Sequence, residues 1–114
     1  MAKKGGFWRS NVHRKQIGIG EKVPLELTER ERDLIIKHTF AGNNLTDRLR
    51  IMPRPGQRAF YRFTLDDLDE LAGYVAAEAN HAKVKKLEKE LRLLYSRIAD
   101  VLESYTDEPD QFAH

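Results

Sequence analysis

No cysteine occurs among the 114 residues, which removes disulfide frameworks, thiolate metal sites and cysteine nucleophiles together. Proline is scarce as well: three of the four prolines, Pro24, Pro53 and Pro55, precede Gly56, so nothing between Gly56 and Glu108 forbids a long helix. No apolar run approaches the length of a membrane span, and the opening MAKKGGFWRS has charge without the apolar stretch of a secretory signal. A soluble, cytoplasmic protein with no membrane association is the expectation. Catalytic constellations are also missing. No serine sits in a G-x-S-x-G context, no glycine-rich loop suits a phosphate, and His13, His38 and His114 are far apart in the chain. The chain is therefore expected not to be an enzyme, with no catalytic residues and no cofactor.

What is present is charge, unevenly divided. The formal net charge is only +2, but Lys3, Lys4, Arg9, Arg14, Lys15 and Lys22 face Glu21 alone in the first 22 residues, while Asp107, Glu108 and Asp110 close the chain. Gly5, Gly6, Gly18 and Gly20 interrupt the basic stretch, and no helix or strand period runs through it. The expected organisation is a basic flexible arm over residues 1–22, one helical domain over 23–105 and an acidic tail over 106–114. Phe7 and Trp8 give the arm apolar surface that a purely solvating tail does not need, so it is a candidate contact to nucleic acid or to another protein. A chain of this length buries only a modest core, and a partner can supply further burial.

The ordered part is predicted to begin with a short edge strand in which Val23, Leu25 and Leu27 alternate with Pro24 and Glu26. Thr28 followed by Glu31 is a capping box, and the helix it starts carries Leu34, Ile35, Ile36 and Phe40 toward a stop at Gly42. Asn44 with Asp47 repeats the capping pattern for a short helix bearing Leu45, Leu49 and Ile51, which PRPG at Pro53–Gly56 ends in a turn. A second strand follows, with Ala59, Tyr61 and Phe63 on one face and Arg58, Phe60 and Arg62 on the other. The two strands are expected to pair and rest on the helices.

From Thr64 the pattern turns helical through to Tyr105. Leu68, Ala72, Val75 and Ala79 share one stripe at about 100° per residue. Val84, Leu87, Leu91, Leu94, Ile98, Val101 and Tyr105 then recur at spacings of three and four, a heptad seam centred about 110° from the first stripe. Two readings follow. The chain bends near Glu78–Lys83 into two helices, or one helix spans residues 65–105 and sends its second half out to another molecule. The absence of glycine and proline between Glu78 and Lys86 favours continuity. In that case the seam, roughly 33 Å long, is an oligomer interface, and a dimer is expected.

Three clusters invite chemical readings. Glu78 and His81 form E-x-x-H, the spacing of carboxylate-bridged metal bundles, and a homodimer would supply two copies; but His81 projects about 140° from the centre of the first stripe, toward solvent. Asp66, Asp67, Asp69 and Glu70 follow Thr64, where unpaired N–H groups and the helix dipole favour carboxylates without any catalytic role. The stretch RLRIMPRPGQRAFYRF places Arg48, Arg50, Arg54, Arg58 and Arg62 beside Phe60, Tyr61 and Phe63, combining charge with stacking surface. Candidate nucleic-acid contacts are thus Lys3, Lys4, Arg9, Arg14, Lys15, Arg54, Arg58, Phe60 and Arg62.

LELTERERDLI and FTLDDLDEL resemble helix starts of the small helical module of uncharacterised bacterial plasmid ORF-like and TnpR-passenger-like proteins, over about residues 25–75. The resemblance implies no established activity and assigns no residue a role. The combined expectation is a mainly α (α+β) domain acting as a non-enzymatic interaction or adaptor protein that self-associates through its C-terminal helix. Nucleic-acid binding is the alternative, and a dimeric metal-carboxylate protein the more distant one.

Overall fold

Two strand–threonine–helix units, paired in opposite directions, build the centre of the fold. The computed structural model describes residues 14–108. After β1 (Lys15–Gln16), β2 (Lys22–Thr28) leads into α1 (Glu29–His38), then α2 (Asn43–Thr46) and a 3-10 turn (Asp47–Leu49). β3 (Arg58–Thr64) leads into α3 (Leu65–His81), followed by α4 (Lys85–Ser104) and β4 (Tyr105–Thr106). The class is α+β, with more helix than strand and a long C-terminal helix.

β2 and β3 pair antiparallel, with Leu25 opposite Tyr61 and Val23 opposite Phe63, so their helices leave from opposite ends of the ribbon. Each helix start carries its own reason. Thr28 accepts from the Glu31 N–H while Glu31 accepts from the Thr28 N–H, and Thr64 and Asp67 repeat the exchange. Thr28→Ala and Thr64→Ala are each expected to lower stability by about 1 kcal/mol. The two losses should be alike, because the Asp67 carboxylate keeps both the Thr64 N–H and Arg48 at 2.6 Å when only the Thr64 hydroxyl is removed. Urea midpoints of the two variants make the comparison.

One core joins the elements. Leu25, Leu27, Leu34, Ile35, Leu45, Leu49, Phe63, Leu68, Leu71, Leu91, Leu94 and Ile98 are all buried in it, and none of the described residues is a buried charge. The alternation foreseen for β3 holds: Tyr61 and Phe63 face the core, and Arg58, Phe60 and Arg62 face outward. Pro55 and Gly56, the latter at φ +75, make a type II turn closed by the Gln57 N–H on the Arg54 carbonyl at 2.9 Å.

Several boundaries differ from the sequence pattern. The basic arm ends earlier than residue 22: Lys15 pairs with Tyr105 in a parallel bridge, the Ile17 N–H donates to the Thr106 carbonyl at 2.9 Å, and Ile17 is buried. The same bridge draws Thr106 out of the expected acidic tail; residues 1–13 and 109–114 lie outside the described residues. Helix α1 stops at His38, short of Gly42, because the Thr39 hydroxyl takes the Ile35 carbonyl at 2.6 Å and Thr39 itself is extended. Phe40 is consequently 88% exposed and Ile36 is exposed rather than buried. Gly42, not Asn44, precedes α2, with no side-chain cap, and Ile51 lies outside the core.

The largest difference lies in the long helical segment. It is two helices, broken at Ala82–Val84, where Ala82 (ψ 130) and Val84 (ψ 125) are both extended, and α4 folds back along α3. Helix propensity favours continuity by less than about 1 kcal/mol per residue. Burying Leu91, Leu94 and Ile98 contributes about 1.5 to 3 kcal/mol each, and both stripes, about 110° apart, reach one core only if the chain turns. Packing wins by that margin.

Candidate interaction surfaces

The heptad seam is turned largely toward its own chain. Leu91, Leu94 and Ile98 are fully buried, while Leu87, Val101 and Tyr105 are partly buried against the same core. Val84 alone stands out, 61% exposed at the start of α4. Two ion pairs fix α4 beneath α1: Arg30 donates Nε and Nη2 to Glu90 at 2.9 and 2.8 Å, and Arg97 donates to Glu31 at 2.8 Å. The hydrogen bonds from Arg30 hold the Glu90 carboxyl below its usual range, and Glu90 in turn raises the Arg30 guanidinium. Glu31 therefore serves both as helix cap and as anchor for α4.

The other side of α4 is open. Lys85, Glu88, Lys89, Arg92, Leu93 and Ser96 line a shallow hollow along this one helix, with Leu93 63% exposed and Tyr95 exposed nearby in sequence. A hollow lined by a single helix has no opposing wall to enclose a small molecule, so it suits a surface contact better than a ligand.

The outer face of the β2–β3 ribbon is the second surface. Phe60 is 65% exposed in the middle of β3, opposite Glu26 and between Arg58 and Arg62 on the same face. Arg58 donates to Glu26 at 2.8 Å, a hydrogen bond that raises its guanidinium above the ordinary value. Arg62 stands opposite Pro24 and, among the described residues, has no carboxylate within 4.0 Å; the same holds for the exposed Arg54. Arg14 and Lys15 are exposed at the other sheet, and Lys3, Lys4 and Arg9 lie outside the described residues.

The five-arginine run is thus divided by structure. Arg48 is drawn inward, donating to Asp67 at 2.6 Å with its guanidinium 5.7 Å from the Phe63 ring centroid, so it ties the turn before β3 to the start of α3. Arg50 pairs with Asp47 at 3.2 Å. Arg54, Arg58 and Arg62 remain outward. The pairing of Arg48 with Asp67 has no local signature, since the partners are separated by β3.

Glu78 and His81 sit near the end of α3, where His81 is exposed and its Nδ1 lies 2.7 Å from the Ala77 carbonyl. That contact requires the proton on Nδ1 and continues the helix's own hydrogen bonding. Among the described residues, no group of three or more histidine, aspartate or glutamate side chains could hold a metal. In the acidic cluster after Thr64, Asp67 caps the helix, while Asp66, Asp69 and Glu70 are exposed. No helix among the described residues is long and apolar enough to cross a membrane.

No protein-family model, curated protein or solved structure matches this chain.

Proposed function

We propose that this protein works by binding rather than by catalysis, as a small interaction or adaptor module that self-associates through its C-terminal helix. The observation supporting this reading is the character of α4: it carries an apolar seam along its length, extends that seam into exposed Val84, and exposes Leu93 and Tyr95 outside it. Exposed apolar groups at those positions give α4 contact surface beyond the side that closes its own core. Sizing chromatography with light scattering over a wide concentration range tests it, together with thermal midpoints measured on dilution. A dimer gives a midpoint that falls with dilution. A monomer at every concentration, with a constant midpoint, removes self-association.

A second reading rests on a different observation, the exposed Phe60 between Arg58 and Arg62. Alternating cation and ring on an open ribbon face suits a single-stranded nucleic acid, with the ring stacking on a base and arginines on phosphates. Phe60→Ala is then expected to cost about 1 to 3 kcal/mol of binding with little change in salt dependence, and Arg62→Ala to flatten the salt dependence. The fold should stay within about 0.5 kcal/mol of the parent in the Phe60 variant, since the ring is a surface group. Absence of binding by mixed single strands at micromolar protein in low salt eliminates this reading.

A further inference from the structure

The junction between α3 and α4 is built unlike the other principal helix starts. Thr28 and Thr64 each make a complete capping box, whereas Val84 caps α4 with no side-chain hydrogen bond. A β-branched apolar residue is among the least suited to that position, because it offers no acceptor to the free first-turn N–H groups. The first turn of α4 also carries Lys85 and Lys86, with Lys83 just before Val84, which place positive charge at the positive end of the helix dipole; Glu88 alone opposes them within that turn. On the other side, α3 ends without a glycine, and the Ala82 N–H reaches the Ala79 carbonyl at 3.4 Å. Locally, Ala82–Lys83–Val84 and its neighbours are suited to continue a helix. Only the packing of the seam keeps Ala82 and Val84 extended.

Were the three residues to become helical, α4 could not stay where it is. The stripes of α3 and α4 lie about 110° apart on a common helix, so a straightened segment would carry Leu91, Leu94 and Ile98 away from their own core. Those side chains have one kind of site that fits them, the groove over α3 and beneath α1, and a second copy offers the identical groove. The flanking pairs Arg30–Glu90 and Glu31–Arg97 would re-form across chains unchanged. The contacts of Leu91, Leu94 and Ile98 are thus conserved on exchange, with β4 travelling with α4 to pair with β1 of the second copy, while each junction gains helical residues in place of an uncapped terminus.

Resting on the self-association reading, we infer that two copies of this chain exchange α4 reciprocally, with Leu65–Ser104 forming one continuous helix in the dimer. The occupant of the α4 groove is the α4 of a second copy, and Ala82–Val84 is the hinge. The closed hairpin is the monomer; the exchanged dimer forms when the chain is refolded at high concentration, since the intramolecular contact otherwise has the higher effective concentration.

The absence of native cysteine makes the test direct, because spin labels attach only where cysteine is introduced. Glu70→Cys and Glu103→Cys mark exposed positions near the far ends of α3 and α4. The doubly labelled full-length chain is unfolded and refolded with excess unlabelled chain, so that the measured distance is the one within a chain. The continuous helix places the labels roughly 50 Å apart. A folded-back α4 brings them much closer.

A dimer with the long distance is the expected result. A dimer with the short distance overturns the exchange and leaves self-association through an outer face. A monomer under all conditions overturns both. Two hinge variants make the prediction quantitative. Val84→Asp supplies the missing cap and should weaken the exchanged dimer about twenty-five-fold, each of its two hinges losing about a factor of five. Val84→Ala favours helix through the hinge and should strengthen it. Equal dimerisation by the parent and both variants would overturn the hinge assignment even if a dimer exists.

Discussion

Replacing Leu91 and Leu94 together by glutamate should abolish folding at every protein concentration. Both side chains have no exposure to solvent, and both lie in the core shared by α3, α4 and the ribbon. Removing either leucine side chain alone should cost about 2 to 5 kcal/mol from lost transfer and the cavity left behind. Each carboxylate adds the cost of an unpaired charge where no arginine or lysine is buried to meet it. The sum exceeds the roughly 5 to 15 kcal/mol that holds a domain of this kind together. Leu93→Glu is the control: one position away, on the open side of α4, it should stay within about 0.5 kcal/mol of the parent. Circular dichroism and urea titration of the three proteins check the contrast. A folded double variant would show that α4 is not needed for the core, and would remove the structural basis for exchange as well.

What the sequence made legible was whatever short-range rules govern. The Thr28–Glu31 capping box, the outward position of Phe60 and the inward one of Tyr61 follow from offsets of two or three residues and appear where those offsets place them, whereas the Asn44–Asp47 offset gives no cap because Gly42 starts that helix. The seam of α4 was legible as a seam but not as an internal one. Periodicity records that Leu87, Leu91 and Leu94 share a face; it does not record whose surface they meet. The signal that could have found the hairpin was the phase difference between the two stripes, combined with the lack of any other cover for both within one chain. Arg48 shows the same limit in polar form. Its nearest carboxylate in sequence is the adjacent Asp47, which pairs with Arg50 instead, and only the return of β3 brings Asp67 to it. Phe40 is exposed for a local reason, since α1 stops at His38 and Thr39, its hydroxyl on the Ile35 carbonyl, is already extended.

Replacing Tyr61 by alanine should be nearly as damaging as a core deletion, although its neighbours Phe60 and Arg62 tolerate change. Tyr61 is 2% exposed, its ring packs in the core, and its hydroxyl donates to the Ile51 carbonyl across the turn that precedes β3. The expected loss is about 3 to 5 kcal/mol for the ring. Tyr61→Phe separates the hydroxyl from the ring and should cost about 1 kcal/mol, with the Ile51 carbonyl left to exposed surroundings that water can reach. Alkaline pH provides a second readout. Burial raises the Tyr61 phenol above its ordinary value, with Asp33 adding to the rise and Arg32 opposing it. Above about pH 10 the unfolded chain then releases a proton that the folded chain retains, so the unfolded state binds fewer protons and stability falls as pH rises through the folded value. Below the unfolded value this contribution is fully present. Tyr61→Phe should therefore lose less stability than the parent between neutral pH and the alkaline limit, while Phe60→Ala should follow the parent curve. Parallel alkaline curves for the parent and the Tyr61→Phe protein would show that this hydroxyl ionises as freely in the folded chain as in the unfolded one.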